Sequence, residues 1–168
     1  MTSSPSQPLM LCYDGSQHAK HAVAYAAGMF PGGHALVVTA WQPTVELGSL
    51  AWSGALERMD TFGEMDRAVA ENAGRLAADG AELARRAGLV AEPLVVEAVG
   101  PVWKTLVDVA DRRDAVMIIM GSRGRATLAS ILLGSVSNAV VHHAGQPTLV
   151  VHGREGDEDA PTLRRAAA

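Results

Sequence analysis

Five short apolar runs punctuate the chain at intervals too long for hairpins. They are Pro8 to Tyr13, His34 to Trp41, Ala91 to Ala98, Ala115 to Met120 and Pro147 to His152. Most are apolar without alternation, which suits strands covered on both faces. Helix-length segments separate them, and strands that alternate with helices build a parallel sheet. The expected fold class is therefore α/β, a single open domain with helices on both faces of a five-stranded parallel sheet. The alternation does not fix the order of the strands.

The intervening segments carry helix signals. After the first run, Asp14-Gly15-Ser16 ends the strand and Ser16 offers an N-cap. Ala19, Ala22, Val23 and Ala26 then share a face, and Gly28 is a plausible stop. Glu64 to Ala87 repeats with the helical period, with Val69, Ala73, Leu76, Gly80, Leu83 and Ala87 on one side. Pro93 near the start of the third run points to an edge strand, where a missing amide is tolerated. Gly100-Pro101 opens a third helix, whose stripe is Val102, Leu106, Val109 and Ala110. A fourth begins near Ser135 and stops at Gly145. Residues 42–63 match neither period and are too long for an ordinary connection, so they read as a mobile flap with room for a short helix around Ala55 to Met59. Residues 1–7 read as a flexible polar arm, and residues 153–168 as a disordered polar tail. The domain proper spans residues 8–152.

Composition narrows the function. Hydrophobic residues make up 48% of the chain, enough to build a core in a domain of 168 residues. A net charge of −4 gives no footprint for nonspecific nucleic-acid binding. No apolar run approaches the roughly 20 residues of a membrane-spanning helix. The opening MTSSPSQP has neither a basic region nor an apolar signal segment, and the lone Cys12 lies in an apolar run. A cytoplasmic protein is expected, with Cys12 a core residue rather than a nucleophile.

Chemistry concentrates after the fourth run, in GSRGRATLASILLGSVS, residues 121–137. Gly121 and Gly124 let backbone approach a ligand. Gly134 and Ser135 stand where the next helix begins, and the first amides of a helix favour an anion. Ser135 and Ser137 add hydroxyls, and Arg123 and Arg125 add charge suited to phosphate oxygens. A plain loop with a helix cap and two solvated arginines uses the same residues. Asp14 likewise reads as a turn residue as readily as a ligand. The pairs His18 with His21 and His142 with His143 read as surface histidines. There is no Walker A lysine after Gly134, no Gly-x-Gly-x-x-Gly after the first strand, no His-Glu-x-x-His and no Cys-x-x-Cys.

The spacing Gly-x2-Gly-x9-Gly-Ser resembles the nucleotide-binding signature of the universal stress protein family, in its ATP-binding type. The resemblance covers roughly Pro8 to His152. It implies a Rossmann-like sheet of order 3-2-1-4-5, which sets the ends of strands 1 and 4 side by side at a switch point. It implies that Asp14, Gly15, Ser16 and Ala40 lie around an adenine and that Met120 and Gly121 lie near the ribose. Arg123, Gly124, Gly134, Ser135, Val136 and Ser137 would hold the phosphates. ATP, with Mg2+ bridging its phosphate oxygens, is the implied cofactor, and no protein metal site is expected. A homodimer through strand 5, Pro147 to His152, and an unidentified partner protein are also implied. Three functions remain open from the residues alone: a binding module that responds to adenine nucleotides, a slow ATPase or autophosphorylating enzyme with Ser135, Ser137 or Thr127 as acceptor, and a nucleotide-free dimeric scaffold.

Overall fold

A computed structural model describes residues 7–43, 59–123 and 133–153, with the side chains of 59–62 excepted. The elements run β1 (Leu9–Cys12), α1 (Gln17–Met29), β2 (His34–Trp41), α2 (Met59–Arg86), β3 (Val90–Glu97), α3 (Val102–Arg112), β4 (Met117–Gly121), α4 (Ser135–His143) and β5 (Thr148–Val151). The sheet has the order β3-β2-β1-β4-β5, and every neighbouring pair is parallel. The implied strand order is the observed one.

β1 shows why the apolar runs are continuous. Leu9, Leu11 and Tyr13 face one cluster with α1 and α2, while Met10 and Cys12 face another with α3 and α4. Both sides of the sheet are covered, so neither side of the strand can be polar. Pro93 does lie on an edge, because β3 pairs only with β2. At the other edge, β5 keeps Thr148, Leu149 and Val150 half-exposed and buries Val151.

Small residues set the spacing of α1 and α2 from the sheet. α1 buries Ala19, Ala22, Val23, Ala26 and Ala27. α2 buries Ala73, Ala77, Ala81 and Ala84. Gly80 completes that face, since a Cβ there would lie 2.7 Å from the Tyr13 ring. Tyr13 is held in turn: its amide donates to Val38 O at 2.8 Å, and the Thr39 hydroxyl donates to its carbonyl at 2.8 Å.

The structure corrects three local expectations. α2 starts at Met59, so residues 59–63 belong to a helix and not to a flap. The flap's residues 44–58 lie outside the described residues, as do the arm 1–6 and the tail 154–168. The buried stripe of α2 is turned toward its alanines, and Val69 is exposed. A sheet this close to the helix selects the smallest side chains, and a hydrophobicity pattern does not weigh size. Finally, Gly28 lies inside α1, which runs on to Met29 and ends at Phe30. The left-handed turn falls at Gly32, with φ 74°.

Cys12 is half-buried by surface exposure and packs against the second core cluster. Burial first, and the Asp14 carboxylate second, push its thiol up to about 12. The thiolate is the reactive form, so the native protein should react with a thiol reagent about a hundredfold more slowly at neutral pH than the urea-unfolded chain. Comparable rates in the two states would contradict this placement. Gly80→Ala should also lower stability, by about 1–3 kcal/mol, because the trapped Tyr13 ring leaves no room for the added methyl. Helix propensity alone gives the opposite sign, by about 1 kcal/mol. Thermal melts of the two proteins decide between them.

Candidate functional site

Two loops meet at the carboxyl ends of β1 and β4. The first follows β1. Asp14 accepts a hydrogen bond at Oδ1 from the Ser16 amide, at 3.0 Å, and Gly15 between them takes φ 82°. This Asx turn delivers Ser16 as the N-cap of α1, where its Oγ accepts from the Ala19 amide at 3.2 Å. The turn reading of Asp14 is therefore realised, and it leaves the carboxylate at the crevice. The positive φ favours glycine at 15, and a Cβ there would also lie 2.8 Å from Leu76 Cδ2 of α2, which would have to shift.

The second loop leaves β4 through Gly121, Ser122 and Arg123. Gly121 is pressed against α1: a Cβ at 121 would lie 2.7 Å from the His18 carbonyl carbon and 2.9 Å from the Ala19 amide nitrogen. The Ser16 hydroxyl donates to the Arg123 carbonyl at 3.4 Å, which joins the two loops directly. Asp14, Gly15, Ser16, Gly121 and Arg123 are thus brought together from positions more than a hundred residues apart. Ala40 lies two residues beyond the Cys12–Val38 pair, as Asp14 does on the adjoining strand. Met120 is buried in the core, so only its main chain is offered to a ligand.

The loop closes on itself before α4. The Gly134 amide donates to Ser122 O at 2.7 Å. The buried Ser137 hydroxyl lies 3.1 Å from the same carbonyl and 3.0 Å from Gly134 O, either of which can accept its proton. Gly134 and the Ser137 side chain therefore brace the loop. Asn138 donates back to Gly134 O, and α4 begins at Ser135. Among the described residues no acceptor meets the main-chain amides of Ser135, Val136 or Ser137. Three donors at the positive end of a helix are the local requirement for an anion. Ser135 is exposed, and Val136 packs on the second core cluster. Gly124, Arg125 and Thr127 lie outside the described residues.

Sequence reasoning passed over Ser122. It is 1% exposed, and its hydroxyl has no hydrogen-bond partner among the described residues. A buried, unpaired hydroxyl costs free energy unless a water or ligand meets it. Its only sequence signal is its place in the two-residue spacer between Gly121 and Gly124. The pairing of this residue with three unmet amides fits a phosphate-bearing group. Charge at the site is mixed. Both Asp14 and Arg123 act on His18: burial, then Arg123, His21 and His152, hold its imidazole below the usual range against the pull of Asp14. Among the described residues no cluster of three His, Cys, Asp or Glu side chains could hold a metal ion.

Comparison with known proteins agrees with this geometry. A universal stress protein from Thermus aquaticus is 35% identical over 146 residues, covering 85% of this chain and 96% of that protein. The Mycobacterium tuberculosis universal stress protein Rv2005c is 37% identical over 101 residues, 58% of this chain, which amounts to 32% of its own length. Among solved structures, hypothetical protein MJ0577 shares the fold with a TM-score of 0.72 at 20% identity, covering 90% of this chain and 99% of that one. A universal stress protein from Archaeoglobus fulgidus in complex with dAMP gives 0.58 at 20% identity, covering 86% and 97%. Another, in complex with cAMP, gives 0.55 at 23% identity, covering 90% and 100%. The sequence profile of the universal stress protein family matches residues 5–152. The chain belongs to the universal stress protein family.

Proposed function

We propose that this protein is an ATP-responsive regulatory module: a cytoplasmic homodimer that binds ATP with Mg2+ and presents a nucleotide-dependent surface to a partner protein. The observation that carries this reading is the joining of the Asp14–Ser16 turn, through Ser16 Oγ on the Arg123 carbonyl, to the loop whose Ser122 carbonyl holds the Gly134 amide at the start of α4. The dAMP and cAMP complexes of its structural relatives support an adenine nucleotide as the ligand class. In this reading the adenine lies by Asp14, Gly15, Ser16 and Ala40, and the ribose by the main chain of Met120 and Gly121. The phosphates meet Arg123, Gly124 and the start of α4. Magnesium would take its ligands from phosphate oxygens and water.

Binding is favoured over turnover. Phosphoryl transfer needs a base or water-orienting group beside the phosphates. Asp14, the carboxylate at the crevice, is tied into the turn on the adenine side of this arrangement. Ser137 and Ser122 are buried, which leaves Ser135 as the accessible hydroxyl among the described serines of the loop. The half-exposed edge of β5 supports pairing with a second copy. No helix among the described residues is long and apolar enough to cross a membrane.

Gly134 separates the binding reading from the scaffold reading. It caps α4 with an extended backbone, φ −66° and ψ 157°, and among the described residues the nearest atoms to a Cβ there would be Ser122 O at 3.5 Å, Ser137 Oγ at 3.6 Å and Arg123 Cα at 3.7 Å, all ordinary van der Waals contacts. Asp is a favoured N-cap, so Gly134→Asp should leave the melting temperature unchanged or raise it by an amount worth a few tenths of a kcal/mol. Its carboxylate would take the anion's place, so ATP affinity by calorimetry should fall at least about tenfold. Undiminished affinity in a folded variant would contradict the phosphate assignment. Native mass spectrometry should find a dimer, with adenine nucleotide released on denaturation. Phosphate release from ATP should match a protein-free blank, and release above it that Gly134→Asp abolishes would establish the enzymatic reading instead.

A further inference from the structure

Three histidines from opposite ends of the chain gather where β5 ends. His18 and His21 are one turn apart on α1, and His152 directly follows β5. A Cβ on Gly153 would lie 2.8 Å from His21 Nδ1 and 3.3 Å from His18 Cδ2, so both rings reach the same point of the chain. The His18 backbone is also the surface on which Gly121 rests. The cluster therefore borders the crevice on its α1–β5 side.

The charged groups around His18 come from each neighbouring segment. Arg123 comes from the chain after β4, His21 from α1 itself and His152 from the end of β5, and all three oppose a proton on His18. Asp14, from the turn before α1, favours one. β4 and β5 offer only uncharged residues, Met117–Gly121 and Thr148–Val151. α2 packs on α1 through alanines, and its Asp79 acts on Tyr13. With no metal-binding arrangement among the described residues, what the cluster offers is charge.

We propose that His18, at the centre of this cluster, makes nucleotide binding proton-coupled: a polyphosphate held at α4 draws a proton onto its ring, and affinity rises as pH falls through the histidine range. This inference rests on the nucleotide reading above and adds its regulation. The direction follows from linkage. The free protein disfavours imidazolium at His18, chiefly through burial and the nearby cations. A phosphate beside Arg123 would offset the cations that act on His18, since charges closer than a Debye length, about 8 Å, are only partly screened. The complex then holds more protons than its parts, and acid favours it. In the free protein the sign is opposite. The unfolded chain binds the proton more readily than folded His18 does, so stability falls as pH drops below the unfolded imidazole value. Bound nucleotide should reduce that loss.

The test is titration calorimetry of the full chain with MgATP, at about pH 8 and about pH 6, which bracket the imidazole range. Paired buffers of different ionisation enthalpy count the protons taken up. ATP's terminal phosphate titrates here too, with a value near 6, so the quantity read is wild type minus variant. Wild type should take up about half to one proton more than His18→Gln, and should gain about five- to tenfold more affinity on acidification. His152→Gln, at an exposed position, should show a smaller loss of the same kind and serves if His18→Gln fails to fold. Equal proton uptake and equal pH dependence in wild type and folded variants, with binding intact, would overturn the coupling alone. Absence of binding by wild type at both pH values would overturn the nucleotide reading and the coupling with it.

Discussion

The close approach of Gly121 to the backbone of α1 is the contact on which the site depends. The two segments belong to different βα units, and they meet because β1 and β4 are neighbours in the sheet. Any side chain at 121 would push α1 away from β4, since even a Cβ would stand 2.7 Å from the His18 carbonyl carbon. With α1 displaced, Ser16 could not reach the Arg123 carbonyl, and the turn holding Asp14 would lose its relation to the loop before α4. Packing and site geometry are therefore one constraint.

Electrostatics builds on that contact. α1 and α4 both start at the carboxyl edge of the sheet, so two helix N-termini flank one crevice. They are not equivalent. Ser16 caps α1 with its side chain, whereas Gly134 gives α4 no side-chain cap. A helix start with no side-chain cap, beside a buried Ser122 hydroxyl that no described residue meets, is where an anion gains most. In the proposed reading the two N-termini divide the work: α1 holds the loop in place, and α4 would face the ligand.

Much of this was legible in the sequence. The apolar runs located all five strands, with His34–Trp41 matched to the residue, because burial on both faces leaves a signal that needs no knowledge of neighbours. The strand order came only through family resemblance, since nothing in an individual run says which run lies beside it. The glycine spacing marked the loop. It could not reveal that the Gly134 amide would be taken by Ser122 O, or that the Ser137 hydroxyl would turn inward. Those are consequences of how the loop closes, and loop closure is a tertiary property. The neighbours of the histidines were hidden for the same reason. His18 and His21 look like an isolated surface pair until β5 brings His152 to them.

The most direct measurement of the central claim is the response of individual amides to nucleotide. In 15N-labelled protein titrated with MgATP, the account predicts that the Ser135, Val136 and Ser137 amides shift together with those of Gly15 and Ser16, all along one saturation curve. Shifts confined to one loop, or Ser135–Ser137 resonances that stay in place while others saturate, would contradict it.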